Sequence, residues 1–196
     1  MAQRVAVLGT GKMGEALLSG MLRSGTAPTD VVVTARREER AATLRERYGV
    51  EVLGNADAAR WAETLILTVK PQDMGALLDE LGPHVPADRL VVTAAAGTTT
   101  AFIEAQLAEG TPVVRVMSNT PVLVDEAMSA ISAGSHAQEA HLARTESIFA
   151  PVGRTIRVPE SRSMTAEPIA VCTIRSCATC RGRPSRMPAS VIASTR

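Results

Sequence analysis

Short runs of apolar residues alternate along this chain with segments whose apolar positions recur every three or four residues. The runs cover residues 5–8, 31–34, 50–53, 65–69, 90–93 and 113–117, and the periodic segments between them cover residues 16–22, 38–48, 56–63, 71–81 and 102–108. Mostly uninterrupted apolar runs are typical of strands buried on both faces, and helices between such strands imply right-handed crossovers. The pattern predicts an α/β fold with a doubly wound, mostly parallel sheet.

Three later segments are expected to extend the same sheet. They are residues 127–133, a helix over residues 137–149 and a strand over residues 155–158. Ser135 and Gln138 have the spacing of a capping box, in which two side chains close the first turn of a helix. We therefore predict one folded domain over residues 1–161.

The first apolar run ends in a glycine-rich turn with the pattern Gly-x-Gly-x-x-Gly. Gly9 permits the tight turn, Gly11 allows the backbone to approach a pyrophosphate, and Gly14 allows a helix to pack closely on the strand. The amides at the start of the next helix then face the phosphate. Such a turn can arise by chance, but its position between a strand and a helix favours a dinucleotide site in a Rossmann-like domain.

The end of the second predicted strand indicates which dinucleotide would bind. Sites for NAD usually place an acidic residue there to accept the ribose 2′-hydroxyl, whereas this chain has Ala35, Arg36 and Arg37. Arginine binds a phosphate dianion through several charge-assisted hydrogen bonds, so we expect NADP(H), with NAD(H) as the alternative. The competing interpretation is that residues 36–40 form the solvated first turn of a charged helix.

Composition limits the partners of the protein. The formal net charge is +1, and no basic stripe is interleaved with the four aromatic residues, so we expect no nucleic-acid partner. No apolar run approaches the roughly 20 residues of a membrane helix, and the N-terminus has no signal-peptide pattern. We expect a cytoplasmic protein that acts on a small molecule, with His84, His136 and His141 at the surface and no metal site.

Ligands of a doubly wound sheet bind beyond the carboxyl ends of its strands. Lys70, before a proline at a helix start, is suited to contact a ribose or substrate, or is simply a solvated lysine. Residues 94–97 have almost no side chains, which allows a flat ring to lie against the backbone but is equally typical of tight packing. Residues 119–121 present polar groups at a strand exit, as a site or as an ordinary turn.

Four motifs, in this order, resemble those of the pyrroline-5-carboxylate reductase family. They are Leu-Gly-Thr-Gly-Lys-Met at 8–13, Thr-Val-Lys-Pro-Gln at 68–72, Ala-Ala-Gly at 95–97 and Arg-Val-Met-Ser-Asn-Thr-Pro-Val at 115–122. The last motif is the most specific, although family members often have proline where Ser118 stands. The resemblance covers residues 1–161. It implies NAD(P)H-dependent reduction of 1-pyrroline-5-carboxylate to L-proline, the last step of proline biosynthesis, by a homo-oligomer.

The resemblance, with the glycine and arginine arguments above, assigns roles to individual residues. We expect the cofactor at Leu8, Gly9, Thr10, Gly11, Lys12, Met13, Gly14, Arg36, Arg37, Asn55, Thr68, Val69, Lys70, Pro71, Ala95, Ala96 and Gly97. The substrate pocket is expected to be bordered by Asn119, Thr120 and Pro121. No catalytic acid or base is identified, because the nicotinamide supplies hydride and a protonated imine is already electrophilic.

The resemblance stops near residue 161. The family continues into an all-helical domain that binds the substrate carboxylate and forms the dimer, and no such segment follows here. Residues 162–196 contain six arginines, one acid and no lysine, against 15 basic and 19 acidic residues in 1–161. We interpret them as a disordered tail, translated out of frame rather than native, with a genuine short tail as the alternative.

Three cysteines fall in this tail, at positions 172, 177 and 180. Their spacing matches part of a plant-type iron–sulfur loop, but the fourth ligand is missing from the sequence, so we expect incidental thiols. Three functional interpretations remain open: a pyrroline-5-carboxylate reductase, an NADP-binding module without turnover, and another small NADP-dependent imine or hydroxyacid reductase.

Overall fold

The computed structural model describes residues 4–119 and 126–163. The strands in these ranges are β1 Val5–Leu8, β2 Val31–Val33, β3 Glu51–Val52, β4 Thr64–Leu67, β5 Leu90–Thr93, β6 Val113–Ser118, β7 Ala127–Ala133 and β8 Gly153–Arg157. The α-helices are α1 Lys12–Arg23, α2 Glu38–Tyr48, α3 Asn55–Trp61, α4 Pro71–Leu81, α5 Thr100–Glu104, α6 Glu139–Phe149 and α7 Glu160–Ser163.

All eight described strands belong to one sheet, in the order β3-β2-β1-β4-β5-β6-β7-β8. The first six strands pair in parallel, β7 runs antiparallel to β6 with Ala133 opposite Val114, and β8 is parallel to β7. The strand order reverses between β1 and β4, which places the switch point beside the glycine turn. The predicted doubly wound, mostly parallel sheet is confirmed.

Alternating residues of β1 divide the core into two layers. Val5 and Val7 lie in one layer, which α1, α2 and α6 cover, whereas Ala6 and Leu8 lie in the other, which α3, α4 and α5 cover. All four side chains are buried, because helices close both faces of the sheet. This double cover explains why the sequence shows near-continuous apolar runs instead of an alternating pattern.

The predicted capping box before α6 is wrong. Gln138, not Ser135, is the residue that caps α6, and its backbone N–H donates to Nδ1 of His141 at 3.0 Å. His141 was expected at the surface but is half-buried. Burial, followed by the positive charge of Arg144, lowers the pKa of the His141 imidazole, which favours the neutral ring that can accept this hydrogen bond.

A buried arginine anchors the last described helix to the sheet. Arg115 on β6 is 1% exposed, and its guanidinium lies 3.9 Å from a carboxylate oxygen of Glu160 on α7. Glu160 also accepts hydrogen bonds from the backbone N–H and the hydroxyl of Thr100, both at 2.7 Å. The Thr99 hydroxyl caps α5 by accepting the Phe102 N–H at 3.2 Å, so the helix covers Thr100–Glu104 and not residues 102–108 as predicted.

None of the described helices is both long and apolar enough to cross a membrane. The cysteines and most of the segment interpreted as a tail lie outside the described residues.

Candidate dinucleotide-binding site

Gly9 forms the turn after β1 in a conformation that only glycine adopts easily. Its φ angle is +80°, and a Cβ atom there would overlap the side chain of Val69 and lie 3.1 Å from the Val69 backbone nitrogen. The Gly9 N–H donates to the hydroxyl of Thr34 at 3.1 Å. The turn is therefore pressed between the ends of β2 and β4.

Two further threonine hydroxyls hold this turn to its neighbours. Thr10 donates to the carbonyl oxygen of Thr34 at 3.0 Å, and Thr68 donates to the carbonyl oxygens of Leu8 and Gly9 at 2.9 and 3.0 Å. These bonds join residues 24 to 60 positions apart in the chain. The Leu8 and Thr34 carbonyl oxygens also accept backbone N–H groups, from Thr68 at 2.9 Å and from Thr10 at 3.2 Å, so the hydroxyls reinforce existing backbone contacts.

The second and third glycines of the motif have different surroundings. A Cβ at Gly11 would meet only the Gly9 carbonyl oxygen, at 3.9 Å, so the protein leaves this side of the turn open. A Cβ at Gly14 would lie 2.7 Å from the Thr68 hydroxyl and 3.1 Å from a methyl group of Val7. Gly14 is therefore required by packing within the fold, whereas Gly11 leaves room for a ligand.

Arg40 and Glu15 connect the glycine turn to α2. Arg40 donates from Nε to the Thr10 carbonyl oxygen at 3.3 Å and pairs with Glu15 at 2.5 Å. Glu15 lies in the first turn of α1 and also receives hydrogen bonds from Arg47 and the Tyr48 hydroxyl, at 3.1 and 2.9 Å. Sequence analysis missed this contact, because it treated residues 36–40 as a set and had no signal pairing one of them with residue 15.

The ionisation of Glu15 reflects this network. Burial by itself raises the pKa of the Glu15 carboxyl, but hydrogen bonds from Arg40 and Tyr48, with the charges of Arg40 and Arg47, outweigh it and lower the pKa below its ordinary value of 4.5. The same contact acts on the phenol, since burial and the Glu15 carboxylate raise the pKa of Tyr48. Glu15 is therefore ionised at neutral pH and bridges α1 to α2.

A cleft of about 440 Å³ opens at the carboxyl ends of β1 to β4, beside the glycine turn. Its lining residues are Gly9, Thr34, Ala35, Arg36, Leu53, Gly54, Asn55, Val69, Asp73, Ala76, Leu77 and Glu80. Four of the predicted cofactor residues, Gly9, Arg36, Asn55 and Val69, thus share one cavity. Arg37, in contrast, is an exposed residue at the start of α2 that does not line it.

Arg36 and Asn55, which line the cleft opposite α4, each contact an acidic residue of that helix. Arg36 pairs with Asp73 at 2.5 Å, and Asn55 donates from its amide to Glu80 at 2.9 Å. The Arg36 side chain is 74% exposed, so its guanidinium lies at the rim of the cleft rather than in the core.

The residues predicted at the nicotinamide lie on the ends of two neighbouring strands. Lys70 and Pro71 follow β4 and begin α4, whereas the 95–97 segment follows β5, whose Thr93 pairs with Leu67 of β4. The Ala95 N–H donates to the Thr93 hydroxyl at 3.3 Å, and Gly97 has a φ angle of +75°. The fold therefore places both segments at the same edge of the sheet as the glycine turn.

Asn119 occupies a structural position at the end of the β6–β7 pair. Its side-chain oxygen accepts the Met128 N–H at 3.0 Å, and its own N–H donates to the Met128 carbonyl oxygen at 3.3 Å. Thr120 and Pro121, the other residues predicted at the substrate pocket, lie outside the described residues. Of the residues predicted at the substrate pocket, the structure therefore describes only Asn119, whose side chain extends the hydrogen bonding between β6 and β7.

The described residues fit a dinucleotide on three observations. Gly11 has open space above it, the first amides of α1 follow a glycine that carries no capping side chain, and an exposed arginine borders the adjacent cleft. Together with the strand reversal beside the turn, these features define a Rossmann-type domain of the class that binds nicotinamide dinucleotides.

Comparison with known proteins narrows this class. The family model described as NADP oxidoreductase, coenzyme F420-dependent, matches residues 4–97. Pyrroline-5-carboxylate reductase from Mycobacterium tuberculosis H37Rv is 38% identical over 165 residues, which cover 81% of this chain and 56% of that protein.

Two solved structures share the fold of this chain. The structure of a pyrroline-5-carboxylate reductase from Coxiella burnetii matches with a TM-score of 0.79 and 26% identity, covering 89% of this chain and 68% of that one. The Plasmodium falciparum pyrroline carboxylate reductase, solved with NADP bound, shares the fold with a TM-score of 0.75 at 20% identity, covering 88% of this chain and 63% of that one.

The chain is thus similar to pyrroline-5-carboxylate reductases over 165 residues, as the sequence motifs predict. It spans little more than half the length of the curated relatives it matches, between 55% and 60%.

Gly14→Ala should destabilise the fold, whereas Gly11→Ala should not. The new methyl group at Gly14 would press on Thr68 and Val7, at an expected cost of about 1–3 kcal/mol, while Gly11→Ala should stay within about 0.5 kcal/mol of the original chain. Chemical denaturation of both variants measures the difference. Equal stability of the two variants would contradict the distinction between the two glycines.

Glu15→Gln should remove a stabilising contribution that depends on pH. A lowered carboxyl pKa stabilises the folded state above the ordinary value of 4.5, and this contribution is lost as the pH falls through the folded-state pKa. We expect the variant to be about 1 kcal/mol less stable at pH 7 and the gap to close in acid. Denaturation curves from pH 7 to pH 3 test this, with the exposed Glu109→Gln as control. A gap independent of pH would contradict the ionic role.

Proposed function

We propose that this chain carries the nucleotide-binding part of an NADPH-dependent reductase that converts 1-pyrroline-5-carboxylate to L-proline. The observation that carries the proposal is the 38% identity over 165 residues to a pyrroline-5-carboxylate reductase, which extends well beyond the glycine turn. Identity over this length includes the segments after β4, β5 and β6, where a doubly wound sheet binds its ligands.

In this proposal the cofactor supplies the hydride, and the protein binds and orients it. The first amides of α1 hold the pyrophosphate, for which the open side of Gly11 leaves room. Arg36, at the rim of the cleft, binds the 2′-phosphate through charge-assisted hydrogen bonds. Residues 68–71 and 95–97 lie against the nicotinamide end, and the small side chains of residues 95–97 allow a flat ring to approach the backbone.

The substrate and assembly are also part of the proposal. Residues 119–121 border the substrate. In the family, as the resemblance implies, a homo-oligomer completes the site through a helical dimerisation domain, for which no matching segment is recognised after residue 161. A cytoplasmic location belongs to the same proposal. The reaction needs no acid–base residue from this domain, since the imine substrate is electrophilic when protonated and the two reacting rings need chiefly to be held in place.

Oxidation of NADPH by the full chain in the presence of 1-pyrroline-5-carboxylate tests the proposal. We expect the absorbance at 340 nm to fall only when the imine is added, with proline as the product. Binding of NADPH without oxidation would support a nucleotide-binding module without turnover. Oxidation with other cyclic imines or with oxo acids, but not with this imine, would support a different reductase on the same fold. Failure to bind any nicotinamide dinucleotide would overturn all three.

Arg36→Ala should weaken the binding of NADPH far more than the binding of NADH. Loss of charge-assisted bonds to a phosphate is expected to lower NADPH affinity about 10- to 100-fold and to change NADH affinity less than about twofold. Calorimetric titration of both cofactors measures this, with Arg45→Ala on α2 as a control of equal charge outside the cleft. Equal losses of NADPH and NADH affinity in Arg36→Ala would contradict the 2′-phosphate role.

Gly11→Val should instead weaken the binding of both cofactors, because it fills the space at the turn.

A further inference from the structure

The two walls of the nucleotide cleft carry opposite charges. On the α4 wall, Asp73 and Glu80 are separated by two helical turns, and both line the cavity. On the other wall, Arg36 and Asn55 are the groups expected to contact the cofactor. Each of these groups is bonded across the cleft to an acidic residue of α4.

The contact between Arg36 and Asp73 opposes a bound phosphate in two ways. The guanidinium is within 2.5 Å of a carboxylate oxygen, so the donors that a phosphate would use are shared with Asp73. A dianion bound to Arg36 would also lie close to the carboxylate charge. Asp73 is only about one-third exposed, so water screens this charge incompletely.

A ligand with a hydroxyl in place of the phosphate is not repelled by the Asp73 carboxylate. A carboxylate accepts hydrogen bonds from hydroxyl groups, which is how NAD sites usually recognise the ribose, with an acidic residue at the end of the second strand. In this chain β2 ends at Val33 and is followed by Thr34, Ala35, Arg36 and Arg37. The acidic group nearest to Arg36 comes instead from α4.

We propose that Asp73 is a specificity-determining residue that reduces the selectivity of the cleft for phosphorylated over unphosphorylated adenosine riboses by competing for Arg36. This inference rests on the proposed function, since it assumes that the cleft binds the adenosine half of the cofactor. Arg36 attracts the 2′-phosphate, and Asp73 limits that attraction. The selectivity between NADPH and NADH is therefore set by the pair and not by the arginine alone.

Binding of adenosine nucleotides by the full chain tests this without enzymatic turnover. Calorimetry with 2′,5′-ADP and with 5′-ADP compares the two ribose forms for the original chain, Asp73→Asn and Asp79→Asn. Asp79 is an exposed residue of the same helix outside the cleft lining, so its variant changes the net charge equally. We expect Asp73→Asn to bind 2′,5′-ADP about 5- to 10-fold more tightly than the original chain and to bind 5′-ADP within about twofold of it. Asp79→Asn should change neither affinity.

The same comparison in an Arg36→Ala background separates competition from simple repulsion. If Asp73 acts by occupying Arg36, Asp73→Asn should tighten 2′,5′-ADP less in that background. An equal gain in both backgrounds would show that the carboxylate acts on the phosphate directly, and would overturn competition for Arg36.

The remaining outcomes distinguish this inference from the proposed function. Unchanged selectivity in Asp73→Asn, with both nucleotides still bound, would overturn the role of Asp73 and leave the proposed cofactor site intact. If the original chain binds neither nucleotide nor NADPH, the proposed function fails together with the inference. Asp73 also lies in the first turn of α4, where an acidic residue favours the helix. A purely structural role would lower stability without changing the selectivity ratio.

Discussion

Gly9 has its α-carbon so close to Val69 that no side chain fits between β1 and β4 at their carboxyl ends. The rest of the site depends on this close approach, which the hydroxyls of Thr34 and Thr68 maintain by bonding the turn from both sides. Because the turn is held there, α1 begins at the switch point of the sheet, and the cleft opens next to it. A residue larger than glycine would push the turn away from β4 and separate the first amides of α1 from the cleft.

Two arginines of the same short segment perform different tasks because their exposure differs. The Arg40 side chain is 32% exposed and pairs with Glu15 while holding the carbonyl group of Thr10, so it stabilises the turn. Arg36 is 74% exposed and pairs with Asp73 across the cleft, so its guanidinium is open to a ligand that competes with this carboxylate. The first contact is part of the fold, whereas the second can be exchanged for a ligand.

The two ends of the described sheet differ in what they contribute. The six parallel strands carry the glycine turn and the cleft at their carboxyl ends. At β6 the pattern changes, since β7 returns antiparallel and Asn119 closes that pair through Met128. Arg115 and Glu160 then tie the last described helix to this side of the sheet and to the start of α5, next to the 95–97 segment. The last described helix thus lies close to where the nicotinamide is proposed to bind.

Local patterns in the sequence determined the strands, the helices between them, the glycine turn and the relationship to pyrroline-5-carboxylate reductases. These features depend on periodicity and short motifs, which neighbouring residues specify together. Only the tertiary structure showed the ion pairs of Glu15 with Arg40, Arg36 with Asp73 and Arg115 with Glu160. It also showed that Gln138 caps α6. It distinguished Gly14, which packing requires, from Gly11, which has open space beside it. The ion pairs join residues 25 to 45 positions apart, and charged residues at such separations carry no local signal of which partner the fold will bring within reach.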